Sequence, residues 1–548
     1  MDVNSRDRSN AWTPLLFSLV LILGMIMGFN LRDTLRSKRN LATVIQRSDR
    51  LDEIIDLVSE KYVDTVNSNL LYKDAISGIL KSLDPHTVYI PADDVQAVND
   101  ELDGGFSGIG VEFSILRDTI EVTSVIENGP AGNAGIETGD QVVKVGDSVV
   151  AGVNVTADRI AHLLKGKQKT KVNVTIRQLS DGLMKTFTIT RDIIPTYSVD
   201  ASIMLDSETG YIKINRFSAT TADEFKTALK KLQANGAQQL IVDLRGNPGG
   251  YLDAATSIAD NFLDGNKLVV YTKGAHTANT EYRAKEKGLF EKGKLAILVD
   301  ESSASASEIL AGAIQDWDRG VIIGRRTFGK GLVQEQYDLP DGAALRLTIA
   351  RYYTPSGRCI QRSFSKGKDA YMEDYEKRFE DGDLTGNDTD EASDTIPFYT
   401  ANHRVVYGGG GIKPDVYVPY DTDRLSTVFQ SMIYSTELKT AIWDYFIHNR
   451  EQLKFSSITD FIGSFNAQEQ VAGNYLALLD PGPRKEALKE LSKPVNNNYF
   501  KQQIKARMAR LLFHDNGYYT ISVRDDEVVN KALAVLSSGQ YSKLISGK

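Results

Sequence analysis

Four short apolar runs, with helical patterns between them, restrict what this chain can fold into more than any other feature. They are "GYIKINRF" (Gly210 to Phe217), "QQLIVDLRG" (Gln238 to Gly246), "KLAILVD" (Lys294 to Asp300) and "GVIIGRR" (Gly320 to Arg326). The first alternates like a strand, and the second reads as a buried one. "TTADEFKTALKKLQANG", "YLDAATSIADNFLDG" and the segment after the serines of 302–307 have helical periodicity. For the first of these helices the sequence predicts a capping box at Thr221 and Glu224 and a stop at Gly236. Strand and helix in alternation imply an α/β domain with a substantially parallel sheet.

The rest of the chain arranges itself around that core. Residues 41–98 form a predicted helical region, with periodic apolar residues up to Leu83 and a break at "DPHTVYIP". Residues 99–193 read as a compact β-rich module, with strands expected at "GVEFSIL", "IEVTSVI", "QVVKVG", "KVNVTIRQ" and "KTFTITR". The α/β core occupies 194–419, interrupted at 365–402 by an acidic insertion expected to be a solvated excursion. Within it "DGDLTG" (Asp381 to Gly386) resembles the start of a calcium loop, but position twelve is Ala392 rather than Glu. No metal site is therefore expected. Residues 420–548 are mainly helical. The fold class is multidomain α/β.

Between Arg8 and Arg32 no residue is charged, and "LLFSLVLILGMIMGF" (Leu15 to Phe29) is almost wholly apolar. As a helix the uncharged window of 23 residues would span about 35 Å, enough to cross a bilayer. A cleaved signal peptide is the rival, but no A-x-A-like site follows, so residues 1–40 read as an anchor with its flanks. Arg32, Arg36, Lys38 and Arg39 follow the segment while Arg6 and Arg8 precede it, which by charge counting alone puts the body in the cytoplasm. A net charge of −8 excludes broad nucleic-acid binding, and the single Cys359 excludes a disulfide framework.

Candidate chemistry lies at four serines in six positions: Ser302, Ser303, Ser305 and Ser307. Ser305 with Glu308 fits a helix capping box, a purely structural role. The same position suits a nucleophile, because the Ala306 amide at the helix head points where an oxyanion would form. A serine needs a base. None of His86, His162, His276, His403, His448 and His514 lies in a recognisable triad signature. Lys330, between Gly329 and Gly331, is either a turn lysine or, if desolvated, a neutral base that Gln334 could hold. The turn Asn247-Pro248-Gly249-Gly250 could present amides to an anion, cradle a phosphate, or be only a tight turn.

"SASASEILAGAIQD", "TFGKGLVQ", "DLRGNPGG", "AISGILKSLDPHTVY" and "GGGIKPD" together resemble the carboxyl-terminal processing peptidases, serine peptidases with a Ser–Lys dyad, over about Asp52 to Pro419. The resemblance implies Ser305 as nucleophile, Lys330 as general base, Gln334 as its orienting partner, and the amides of Ala306 and Gly249 as the oxyanion hole. The module's "GFSGIGVEF" and "GPAGNAGIETGDQVVKVGD" look like a PDZ domain, with Gly108, Ile109, Gly110 and Val111 as its carboxylate-binding loop. It further implies protein or peptide substrates held by their C-termini, no cofactor, a homodimer or adaptor as possible partner, and a single-pass bacterial inner-membrane protein with its body in the periplasm. The alternatives are an inactive PDZ-bearing scaffold and a Ser–His hydrolase.

Overall fold

The computed structural model describes residues 50–126, 128–380, 382, 384–386, 396–421 and 426–547. The apolar segment Leu15 to Phe29 and the acidic side chains of the calcium-like "DGDLTG" lie outside the described residues. Among the described residues no helix is long and apolar enough to cross a membrane. The chain divides into two compact units, Met1–Asp84 and Pro85–Lys548. In the first, residues 50–61 are helical and a second helix, Ser68–Lys81, starts where the Asn67 side chain accepts from the amides of Asn69 and Leu70.

In the second unit the alternating pattern gives a six-stranded sheet. Its order is Val199–Met204, Thr209–Ile214, Gln239–Asp243, Lys294–Val299, Val321–Gly324 and Val416–Tyr417. The first pair is antiparallel and the others are parallel. Successive side chains alternate between faces, so the sheet supplies two cores. Ile212, Val242 and Ile297 pack on one face beneath the helices Thr221–Ala234, Leu252–Ala259 and Ala306–Asp316. Tyr211, Ile241 and Leu298 pack on the other beneath Glu527–Ser537 and Gln540–Ser546. A parallel sheet needs both faces covered, and the end of the helical C-terminal region supplies the second cover.

Two local expectations change. The first core helix is capped at Thr220, and the Glu224 carboxylate accepts from the amides of Ser198 (2.7 Å) and Val199 (2.9 Å), so the Thr221/Glu224 capping box does not form. Tertiary donors on the neighbouring strand take the carboxylate. Gly236 does end the helix, with φ +97°. The acidic insertion is also no solvated excursion in its described first part. Tyr371 is 3% exposed and Arg378 5%, on the helices Lys368–Met372 and Asp374–Glu380. Eleven acidic residues masked two buried anchors.

A second sheet centres on Ala344–Tyr353, which pairs antiparallel with Val88–Ile90, Leu268–Lys273 and Leu332–Asp338. The β-rich module has the five expected strands in the order Val111–Leu116, Thr119–Val125, Gln141–Val145, Lys171–Arg177 and Met184–Thr190, around its own core. A ribbon of Gly105–Gly108 and Asp192–Pro195 brackets it. Helix Thr436–His448 of the C-terminal region reaches the module, where Asp444 takes both ends of the Arg117 fork at 2.7 and 2.9 Å.

Candidate active site

The serine cluster is a junction between a strand and a helix. After Lys294–Val299 the chain turns through 300–304 and enters the helix Ala306–Asp316. Ser303 and Ser307 are fully buried fasteners: Ser303 Oγ donates to the Leu244 carbonyl (2.9 Å) and Ser307 Oγ to the Asn247 carbonyl (3.0 Å). They tie the turn to "DLRGNPGG". Ser305 is half-buried and lines a cleft of about 990 Å³ that Lys330, Gln334, Gly249 and Gly250 also line.

Ser305 has φ +53° and ψ −113°, outside the ordinary regions for a residue with a side chain. Strain of this kind costs about 1–3 kcal/mol and is concentrated at functional positions. No residue pattern around Ser305 announces it. Ser305 and Glu308 form the expected capping box, Glu308 accepting from the Ser305 amide at 2.9 Å, so the serine's structural role stands beside any chemical one. The Ala306 amide takes no hydrogen bond among the described residues.

Lys330 follows the turn that leads into Leu332–Asp338. Its Nζ donates to Gln334 Oε1 at 2.9 Å, and Gln334 Nε2 donates to the His86 carbonyl at 2.5 Å. The amide of Gln334 is therefore fixed in orientation, with its oxygen turned to the amine. Glu308, wholly buried, joins this loop to the serine. Its two carboxylate oxygens accept from Thr327 Oγ1 (2.5 Å), Gly329 N (2.7 Å), Lys330 N (2.9 Å) and Ser305 N (2.9 Å). Burial pushes its carboxyl above the usual glutamate range, against the four hydrogen bonds, which favour the charged form. The Tyr352 hydroxyl spans the same gap, reaching the carbonyls of Lys330 (2.6 Å) and Ser305 (3.0 Å). Glu308 was legible only as a cap, and the His86 carbonyl was not legible at all.

Gly249 departs from expectation. Its amide donates to Asn247 Oδ1 at 2.9 Å, so it is not an open oxyanion donor. What the position requires is the absence of a side chain. At φ +100° a Cβ would stand 2.7 Å from the Ala304 carbonyl, 2.8 Å from Ser305 Cβ and 2.9 Å from Ala306 N. The exposed Gly250 amide takes no hydrogen bond among the described residues and is the more available donor. Behind the loop, burial pushes Asp243 up but Arg245 and Lys213 outweigh it and hold the carboxyl well below the usual range. Arg245 Nη1 also donates to both carboxylate oxygens of Asp526 (2.9 and 3.0 Å), which caps Glu527–Ser537.

Among the described residues no histidine lines the cleft. The ring of His86 is engaged elsewhere, its Nε2 lying 2.9 Å from the Tyr371 hydroxyl. In the module, Gly108 ends its ribbon strand, and Ile109 sits in the module's core. Gly110 has φ +78°, and Val111 opens Val111–Leu116, an edge strand of the sheet. The carbonyls of Ile109 and Gly110 accept from Ala131 and Ile126, while their amides take no hydrogen bond among the described residues.

Residues 208–367 match the model of peptidase family S41, and residues 107–190 that of the PDZ domain. A "Carboxy-terminal-processing protease" of Bartonella bacilliformis is 35% identical over 57% of this chain and 72% of its own length. The "Carboxy-terminal processing protease CtpA" of Bacillus subtilis is 31% identical over 66% of this chain and 78% of its own. Among solved structures, the photosystem II D1 C-terminal processing protease is 28% identical over 56% of this chain and 82% of that one, with a TM-score of 0.32.

Proposed function

Because the chain belongs to peptidase family S41, the family of the carboxy-terminal processing proteases, we propose that it cleaves proteins recognised by their C-termini, with Ser305 and Lys330 as its dyad. The observation that carries this is the Lys330 amine, held at 2.9 Å by Gln334 in the cleft that Ser305 lines. The Ser305 hydroxyl attacks the scissile carbonyl carbon as its proton passes to the neutral Lys330 amine. The carbonyl oxygen, now negative, is met by the Ala306 amide, and by that of Gly250 rather than Gly249. Collapse breaks the C–N bond, and Lys330 returns the proton to the leaving amine. Water then repeats the sequence on the acyl-enzyme and frees Ser305.

The loop Gly108 to Val111 would receive a terminal carboxylate on its open amides, with the peptide added beside the edge strand Val111–Leu116. The uncharged stretch around Leu15 to Phe29 would anchor the chain in the bacterial inner membrane with the body in the periplasm. Resistance to alkaline extraction, lost when residues 1–40 are removed, tests the anchor.

The deciding experiment is Ser305→Ala assayed on an unstructured protein. The fold should persist, since losing a helix cap costs only about 1 kcal/mol, and cleavage should stop. Lys330→Met should also be inert. Normal proteolysis by either variant refutes the dyad. A cleft without histidine disfavours a Ser–His hydrolase, and an inactive scaffold would leave the substrate whole.

A further inference from the structure

The base is held by Gln334, and Gln334 by a backbone carbonyl, so the position of the amine depends on whatever fixes His86. Three contacts do. The Tyr371 hydroxyl lies 2.9 Å from His86 Nε2, the Tyr371 ring packs edge-on against the imidazole (centroids 5.3 Å apart), and Phe328 packs on it at 6.1 Å. Tyr371 belongs to the insertion, not to any of the motifs that mark the dyad. It is fixed in turn by the Arg362 guanidinium, 3.9 Å from its ring centre, and Arg362 pairs with Asp374 of the next insertion helix.

The insertion grips the lysine loop at a second place. Arg378 donates to the carbonyls of Arg326 (2.7 Å) and Thr327 (3.3 Å), which lead into Phe328-Gly329-Lys330. The glycines beside the lysine admit this packing. A Cβ on Gly329 would meet Arg362 Cβ at 3.0 Å, and one on Gly331 would meet Gln361 N at 2.8 Å.

We propose that Tyr371 is a positioning residue for catalysis: through His86 and Gln334 it fixes where the Lys330 amine stands, making the start of the insertion part of the active-site framework. This rests on the assignment of Lys330 as base. A lysine side chain has four rotatable bonds, and a general base must stand within hydrogen-bond reach of the proton it takes. Loosening the carbonyl that fixes Gln334 lets the amine wander, which slows acylation without altering substrate binding.

The test uses the full chain and a fluorogenic peptide of fixed sequence. Tyr371→Phe, which removes only the hydroxyl, should lower kcat about tenfold with KM and melting temperature unchanged. His86→Gln should do the same, and the double variant should be no slower than the slower single, because both act through one chain of contacts. Met372→Ala, at a 65% exposed neighbour, should leave kcat unchanged. A Tyr371→Phe enzyme within twofold of wild type, or losses that multiply in the double variant, overturns the proposal. Should Tyr371→Phe lose its fold, His86→Gln alone decides by the same threshold. Lys330→Met separates the two levels. Retained activity there removes the base and this proposal together, whereas a dead Lys330→Met beside an unaffected Tyr371→Phe removes this proposal only.

Discussion

Gly249→Ala should abolish turnover through Ser305 itself. The added methyl would lie 2.8 Å from Ser305 Cβ and 2.7 Å from the Ala304 carbonyl. Carbon atoms in contact prefer about 3.5–4.0 Å, so relief needs a movement of about 1 Å. The neighbours on the far side are the turn and the head of a buried helix, which cannot retreat cheaply. Overpacking of this kind costs about 1–3 kcal/mol, and φ +100° adds a backbone penalty of similar size. A displacement of about 1 Å at a reacting atom costs about 100-fold in rate. The control is Gly246→Ala. It too has a positive φ, +69°, but nothing lies within 4 Å of its Cβ, so it carries the backbone penalty without the collision. Steady-state hydrolysis of a short peptide by both variants, with circular dichroism to confirm folding, separates the effects. The expectation is a kcat about 100-fold down for Gly249→Ala and within about threefold of wild type for Gly246→Ala. Equal losses in the two variants, or a Gly249→Ala enzyme at near-normal rate, would refute the steric account and return attention to the Gly249 amide.

Other outcomes follow from the same contacts. Glu308→Gln must set an amide nitrogen against two of the four donors; Thr327 can rotate to accept, but at least one buried backbone amide is stranded at about 1–3 kcal/mol, so denaturant resistance and kcat should fall together. Asp526→Ala removes the acceptor of Arg245 Nη1 and the cap of Glu527–Ser537, and thermal scanning should show an earlier transition, with an unchanged profile counting against the contact. Gly110→Val places a branched side chain at φ +78°, with Ile194 Cδ1 already 3.2 Å from its Cβ; calorimetry should show weakened binding of a peptide with a free C-terminus, while a C-terminally amidated peptide changes little.

The sheet was legible because strands buried on both faces need near-continuous apolar runs, as in "LIVDL" and "LAILV". Ser305, Lys330 and Gln334 were legible because side-chain identity is what each contributes. The misses have one physical root: contacts that the backbone makes leave no trace in residue type. The His86 carbonyl that holds Gln334 is a backbone atom, and no residue type announces what a carbonyl accepts from. Nothing in "NPGG" shows that Asn247 turns its own side chain onto the Gly249 amide. The helix begins one residue earlier than its capping pattern suggested, and Glu224 accepts instead from the amides of Ser198 and Val199, over twenty residues away in the chain. Tyr371 was hidden by composition, one buried ring among eleven acids.

The helices Glu527–Ser537 and Gln540–Ser546 seal the second face of the central sheet, with the Leu295 amide donating to the Tyr541 hydroxyl. During synthesis, Ser305 therefore emerges more than two hundred residues before the helices that cover the second face of its sheet. Until those helices arrive, Tyr211, Ile241 and Leu298 lie uncovered, so completion of the scaffold around the serine waits on chain far downstream of it.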